Sequence, residues 1–212
     1  MKRSTVLRLG VLISGRGSNM ESIIKACMSD EFPAEVACVI SNNVNAPGLK
    51  IAETYGVDTF TVSRKPLDTK GISSILEKHC VDLVCLAGFM SILDQEFVSH
   101  WNNKIINIHP SLLPSFVGLR AQLQAFDAGV KIAGCTVHYV HPELDSGPII
   151  MQAAVPVLRN DDVNSLSARI LAAEHICYPR TIRAIASGNV TIDSSGKVSY
   201  SGEDELFFFH TT

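Results

Sequence analysis

Along the first half of the chain, blocks of apolar residues at strand spacing alternate with blocks at helical spacing. Leu7 to Ser14 is apolar and runs into a glycine loop, so it predicts a central strand. Asn19 to Met28 carries Met20, Ile23, Ile24 and Cys27 at helical intervals. Ala34 to Ile40 predicts a second strand, Gly48 to Tyr55 a short helix, and Val57 to Val62 a third strand. Ile72, Ile75, Leu76 and His79 share one face of a helix predicted over Ile72 to Cys80. Val81 to Ala87 is almost unbrokenly apolar, as a parallel strand covered on both faces should be. A helix over Gln95 to Trp101 and a strand over Lys104 to His109 complete the series.

This rhythm predicts an α/β fold: one doubly wound, mostly parallel, Rossmann-like sheet with right-handed crossovers. The second half breaks the rhythm. A helix over Ala121 to Ala128 is followed by two long strands, Ile132 to Val140 and Ile149 to Val157, which predict an antiparallel C-terminal extension. A long helix over Asn164 to Ser187 follows, with a kink or break expected at Pro179, which has no N–H for the carbonyl of His175. Val190 to Asp193 and Lys197 to Tyr200 form a hairpin around Ser194-Ser195-Gly196, and 203–212 reads as a tail whose Leu206-Phe-Phe-Phe209 run has no evident docking place. No repeat or long linker appears. The expectation is one domain over 1–212, with an N-terminal half of about 7–109 and a C-terminal half of about 110–200.

Composition narrows the class. The 212 residues are 46% hydrophobic and 18% charged with a net charge of -3, a compact globular balance without the basic surface expected of a nucleic-acid binder. No apolar run approaches the roughly 20 residues that cross a bilayer, so no membrane contact is expected. The start does not read as a signal peptide, because Val6 to Ile13 contains Arg8 and enters a glycine loop. Cys27, Cys38, Cys80, Cys85, Cys135 and Cys177 include no Cys-x-x-Cys pair and read as reduced thiols, mostly buried, which points to the cytoplasm. No metal site is expected, His138 and His141 included.

Two loops carry candidate binding chemistry. Ser14-Gly-Arg-Gly-Ser-Asn19 opens the first helix, where free amides bind anions. A Walker loop is excluded by the missing Gly-Lys-Ser/Thr; a dinucleotide fingerprint is opposed by Met20 at its third glycine and by Ser41-Asn42-Asn43 in place of an acid. One terminal phosphate on Gly17, Ser18 and Asn19 remains, beside the alternative of a tight turn capped by Ser18 or Asn19. Gly88-Phe-Met-Ser-Ile-Leu93 offers either an apolar slot for a flat heterocycle or plain core packing.

The candidate chemistry lies in Asn107-Ile-His-Pro-Ser-Leu-Leu-Pro114 and Leu144-Asp-Ser-Gly-Pro148. Asn107 and His109 are two apart on an extended segment, so both side chains leave one face at the carboxyl end of a strand, where open α/β sheets bind ligands. Taken alone, the second motif is also a turn sequence. Together they supply an amide, an imidazole and a carboxylate, the groups needed to move a one-carbon acyl unit between nitrogens.

These residues resemble the phosphoribosylglycinamide formyltransferases, the folate-dependent glycinamide ribonucleotide transformylases of purine biosynthesis. The resemblance runs from about Leu9 to Gly188 and includes Leu86-Ala-Gly-Phe-Met90, Gly118-Leu119, Gln124-Ala125, Thr136-Val-His138 and Glu174-His-Ile-Cys-Tyr-Pro179. It implies transfer of a formyl group from 10-formyltetrahydrofolate, a cosubstrate, to the amine of glycinamide ribonucleotide, without a metal. It implies Asn107, His109 and Asp145 as the catalytic set, with Asn107 also against the folate. Gly17, Ser18, Asn19, Gly88, Pro110 and Glu174 would meet the ribonucleotide, and Lys70, Met90, Ser91, Ile92, Leu93, His141, Glu143 and Leu144 the folate. The partners are these two small molecules, with a homodimer left open. The chain departs from the family at Ser91 and Lys70, where Arg is common, at Arg120, where His is frequent, and at Leu171, where a polar or basic residue often stands.

Three rival functions use related parts. A formyltetrahydrofolate hydrolase employs the same trio with water as nucleophile and usually carries an N-terminal regulatory domain, whereas this chain starts at its first strand. A methionyl-tRNA formyltransferase carries a further C-terminal domain and a basic surface. A non-catalytic folate- or nucleotide-binding module has no need of all three catalytic side chains.

Overall fold

A computed structural model of the chain describes residues 6–143, 145–193, 196–202 and 205–210. Leu144, expected at the folate, and Ser194 and Ser195, expected in the hairpin turn, lie outside the described residues, as do parts of the tail. The chain divides into two compact units, Met1–Asn107 and Ile108–Thr212.

The first unit is a parallel α/β layer. Its strands are β1 (Leu7–Ile13), β2 (Ala34–Ser41), β3 (Thr59–Thr61), β4 (Leu83–Leu86) and the start of β5 (Ile105–His109). β1 pairs in parallel with both β2 and β4, so it is central as its apolar run predicts; β3 joins β2 and β5 joins β4, also in parallel. Helices α1 (Ser18–Cys27), α2 (Pro47–Thr54), α3 (Thr69–Lys78) and α4 (Gln95–His100) link them. Met20, Ile23 and Ile24 of α1 and Ile72 and Leu76 of α3 are buried, the faces their spacing marked out. Asp68 and Asp94 cap α3 and α4, accepting from the N–H groups of Gly71 and Phe97 at 2.8 Å each.

In the second unit, β6 (Ile132–Tyr139) and β7 (Ile149–Pro156) are antiparallel. Between β5 and β6 lies α5 (Ala121–Asp127). After β7 comes α6 (Val163–Ala186), whose Asp162 and Ser165 form a capping box. Of the kink or break expected at Pro179, the break does not occur: α6 is one 24-residue helix with Pro179 inside. Buried Leu166, Ile170, Ala173, Cys177, Tyr178 and Ile182 anchor it on both sides of the proline, and packing against β6 and β7 outweighs one forgone backbone bond. β8 (Val190–Ile192) and β9 (Val198–Tyr200) form the expected antiparallel hairpin. The phenylalanine run has a place: Phe207–Phe209 is β10, parallel to β7, with the Arg180 guanidinium 4.9 Å from the centre of the Phe208 ring. The fold is therefore α/β and mostly parallel, with antiparallel pairing at β6–β7 and in the hairpin.

All six cysteines are thiols; Cys80 is exposed and Cys27 partly so, while the other four are buried. Burial pushes the Cys27 and Cys38 thiols up to about 12, which makes them inert packing groups. Among the described residues no helix is long and apolar enough to cross a membrane.

Candidate active site

Asn107 and His109 leave one face of β5, with Ile108 buried between them. His109 is held at both ring nitrogens. Its Nε2 is 2.9 Å from the Phe116 carbonyl oxygen, and its Nδ1 is 3.5 Å from Oδ2 of Asp145. A carbonyl only accepts, so Nε2 carries a proton and donates it there. At 3.5 Å the Nδ1 contact is electrostatic and not a formed hydrogen bond, which leaves Nδ1 open to a further partner. The two side chains are only 7% and 8% exposed, so their interaction is screened far less than a surface pair.

Asp145 is positioned by the backbone. The N–H of Gly118 donates to its Oδ2 at 2.8 Å, and Asp145 itself takes the left-handed conformation at φ 50. Asp tolerates that region better than most residues. Gly147 must be glycine, because a Cβ there would fall 1.8 Å from the Tyr139 carbonyl oxygen. The turn-forming composition of Asp145-Ser-Gly-Pro148 thus serves to aim a carboxylate.

The structure adds His138, expected not to hold a metal and carried otherwise only by the Thr136-Val-His138 resemblance. Its Nδ1 donates to the Tyr139 carbonyl at 2.8 Å, and its Nε2 lies 4.0 Å from Oδ1 of Asp145. Burial lowers its pKa, so the ring is kept neutral. A period-two signal was available, since Thr136 and His138 share a face of β6.

Further along the second unit, Glu174 is buried on α6, near enough to Cys135 to help raise that thiol. Pro110 is half-buried just after β5; His141 is half-buried and Glu143 exposed on the β6–β7 connection. Arg120 is exposed at φ 57 ahead of α5, and Leu171 is half-buried on α6.

In the first unit, the loop after β1 turns on Gly17 at φ 75, the left-handed cap of α1. The N-cap position falls on Gly17, so Ser18 and Asn19 stand in the first turn of α1, after the left-handed glycine that turns the chain. Gly17 also packs against α2, where a Cβ would stand 2.9 Å from the Gly48 Cα. The second loop is tied to the first, the Met90 N–H donating to Ser14 Oγ at 2.7 Å. Its tip is not core: Met90 is 61% and Ile92 85% exposed, with Gly88 exposed at φ 73 and Phe89 and Leu93 half-buried. Ser91 accepts a 2.7 Å bond from Asn42 Nδ2, and Lys70 is exposed in the first turn of α3.

Comparison with known proteins agrees with this picture. Residues 7–182 match the Formyl transferase family. The phosphoribosylglycinamide formyltransferase of Escherichia coli is 42% identical over 190 residues, 87% of this chain and 89% of that protein. The trifunctional purine biosynthetic protein adenosine-3 of Bos taurus is 44% identical over 202 residues, and the chain, 93% covered, spans about 20% of that relative's length. The crystal structure of phosphoribosylglycinamide formyltransferase from Anaplasma phagocytophilum superimposes with a TM-score of 0.96 at 61% identity, covering 98% of this chain and 100% of that one. A match over residues 7–182, together with 42% identity to the Escherichia coli protein and near-complete overlap with the Anaplasma phagocytophilum structure, places the chain in the formyl transferase family, and it belongs there with the phosphoribosylglycinamide formyltransferases.

Proposed function

We propose that the chain transfers the formyl group of 10-formyltetrahydrofolate to the primary amine of 5-phosphoribosylglycinamide. The observation that carries the reading is the buried His109–Asp145 pair, with Nδ1 and Oδ2 3.5 Å apart and the far side of the ring bonded to Phe116.

The amine attacks the formyl carbon, a C–N bond forms, and charge gathers on the formyl oxygen. The Asn107 amide and the loosely held Nδ1–H of His109 are the donors for that oxygen, each worth about 3–4 kcal/mol when well placed. Asp145 orients the ring and, through water, takes the proton shed by the attacking amine. Collapse breaks the bond from carbon to N10 of the folate, which leaves with a proton. The ring's two N–H groups then have distinct tasks: Nε2–H anchors and Nδ1–H works.

The ribonucleotide phosphate is assigned to Gly17, Ser18 and Asn19, its glycinamide end to Glu174, and the stretch between to Gly88 and Pro110. The folate is assigned to Lys70, Met90, Ser91, Ile92, Leu93, Asn107, His141, Glu143 and Leu144. The exposed apolar side chains of Met90 and Ile92 support the heterocycle slot. Buried, high-pKa thiols support a place in the cytoplasm. Sedimentation of the purified chain decides between a monomer and a homodimer.

One assay separates the rival readings. The protein is mixed with 10-formyltetrahydrofolate, with and without glycinamide ribonucleotide, and tetrahydrofolate release is followed. Turnover that needs the ribonucleotide supports the transferase; turnover without it makes the chain a hydrolase, and tight binding without turnover makes it a binding module.

A further inference from the structure

On β7, an otherwise apolar strand, Gln152 is half-buried and faces the segment that follows the catalytic histidine. Its Nε2 makes two 3.0 Å bonds, to the Leu113 carbonyl and to Thr136 Oγ1. The Thr136 hydroxyl also accepts from the Leu113 N–H at 3.0 Å and donates to the Ser111 carbonyl at 2.7 Å. Ser111 Oγ in turn bonds the Ser115 carbonyl at 2.5 Å and lies 3.3 Å from that of Phe116. Phe116 O is the acceptor that holds Nε2 of His109.

These bonds and the backbone of the 111–116 segment connect Gln152 to the imidazole. Their logic is directional. A hydroxyl has one proton to give, and two donors, Gln152 Nε2 and Leu113 N, occupy the acceptor side of Thr136 Oγ1, so that proton goes to Ser111 O. Without Gln152, the Thr136 proton is free to rotate and the Leu113 carbonyl loses a donor. The 111–116 segment is then pinned at fewer points, and Phe116, at φ 55, depends on that pinning for an uncommon backbone conformation.

We propose that Gln152 is a positioning residue for His109: through Thr136 and the 111–116 segment it fixes the Phe116 carbonyl, so that the ring presents Nδ1, not Nε2, to the reacting formyl group. The kinetic half of this inference rests on the proposed formyl transfer, whereas the geometric half does not.

The test is therefore read twice. In 15N-histidine-labelled full-length protein, His109 of the wild type should show an Nε2–H that is protected from exchange. In Gln152→Met, similar in size but without an amide donor, that protection should be lost. In the formyl-transfer assay, Gln152→Met should lower kcat by about 10–100-fold with both KM values within a few fold, as for a displaced catalytic group, and should displace the acidic limb of the pH–rate profile. His109 resonances and pH profile identical to wild type overturn the proposal. So does a loss of activity that follows melting temperature and KM with the pH profile intact, because that is what plain structural support produces. If Gln152→Met does not fold, Thr136→Val against Thr136→Ser decides: Val should release the ring and Ser keep it, and equal behaviour overturns the inference. Wild type without ribonucleotide-dependent turnover sinks the formyl-transfer reading alone, since the NMR comparison still judges Gln152.

Discussion

Oδ2 of Asp145 stands 3.5 Å from Nδ1 of His109 and accepts a 2.8 Å hydrogen bond from the Gly118 N–H, so one oxygen serves both the catalytic ring and its own backbone anchor. Asp145→Asn keeps the shape and an acceptor for Gly118 while removing the charge. We expect kcat to fall about 10²–10⁴-fold, with the fold intact by circular dichroism. His109→Ala should lower kcat over the same range and leave ribonucleotide binding within a few fold, measured by calorimetry. The double variant should be little worse than the worse single one, because both act on one step; fully additive losses would separate them.

The phosphate assignment rests on backbone geometry around Gly17. Any side chain there is strained twice, by φ 75 and by the Gly48 Cα 2.9 Å from a Cβ. Gly17→Ala should cost about 1–3 kcal/mol in denaturant unfolding. Asn19→Leu should weaken the phosphorylated substrate at least tenfold more than the folate, a preference set by lost donors at one anion. Equal losses for both ligands would remove the loop from phosphate binding.

Much of this was legible from residue order because hydrophobic period is a local property. Val81 to Ala87 announces a doubly covered strand, and the two-residue spacing of Asn107 and His109 puts both on one face without any knowledge of the rest. What was not legible depended on registration between segments. The 4.0 Å approach of His138 to Asp145 joins β6 to the β6–β7 connection, and the period-two spacing of Thr136 and His138 marks a face of the strand without naming what that face meets. Pro179 sits inside an unbroken helix because burial on both of its sides outweighs a local preference. The Phe207–Phe209 strand was hidden because three adjacent aromatics have no period, and only the free edge of β7 explains their docking.

That docking has an energetic consequence. Phe208 is the half-buried member of β10, beneath the Arg180 guanidinium, whereas Phe207 and Phe209 are 56% and 67% exposed. Phe208→Ala should lower stability by about 1–3 kcal/mol, less than for a fully buried phenylalanine. Phe207→Ala and Phe209→Ala should stay within about 0.5 kcal/mol. Urea melts of the three variants check this ordering, and a silent Phe208→Ala would mean that the strand adds no stability.

His138 gives the site a definite acid sensitivity. Burial drives its pKa below the ordinary 6.5, while Asp145 and the Tyr139 carbonyl pull the other way without prevailing. The unfolded chain therefore takes up this proton at a higher pH than the folded one. The stability associated with a neutral His138 is complete above pH 6.5 and is lost as the pH falls from there through the lower folded value. His138→Gln retains an amide donor for the Tyr139 carbonyl and has nothing to titrate. Thermal melts between pH 7.5 and pH 5 should show the wild type losing stability more steeply than His138→Gln, with the two curves parallel above about pH 7. A variant that loses stability on acidification as fast as the wild type would place the sensitivity elsewhere, on groups other than this buried imidazole.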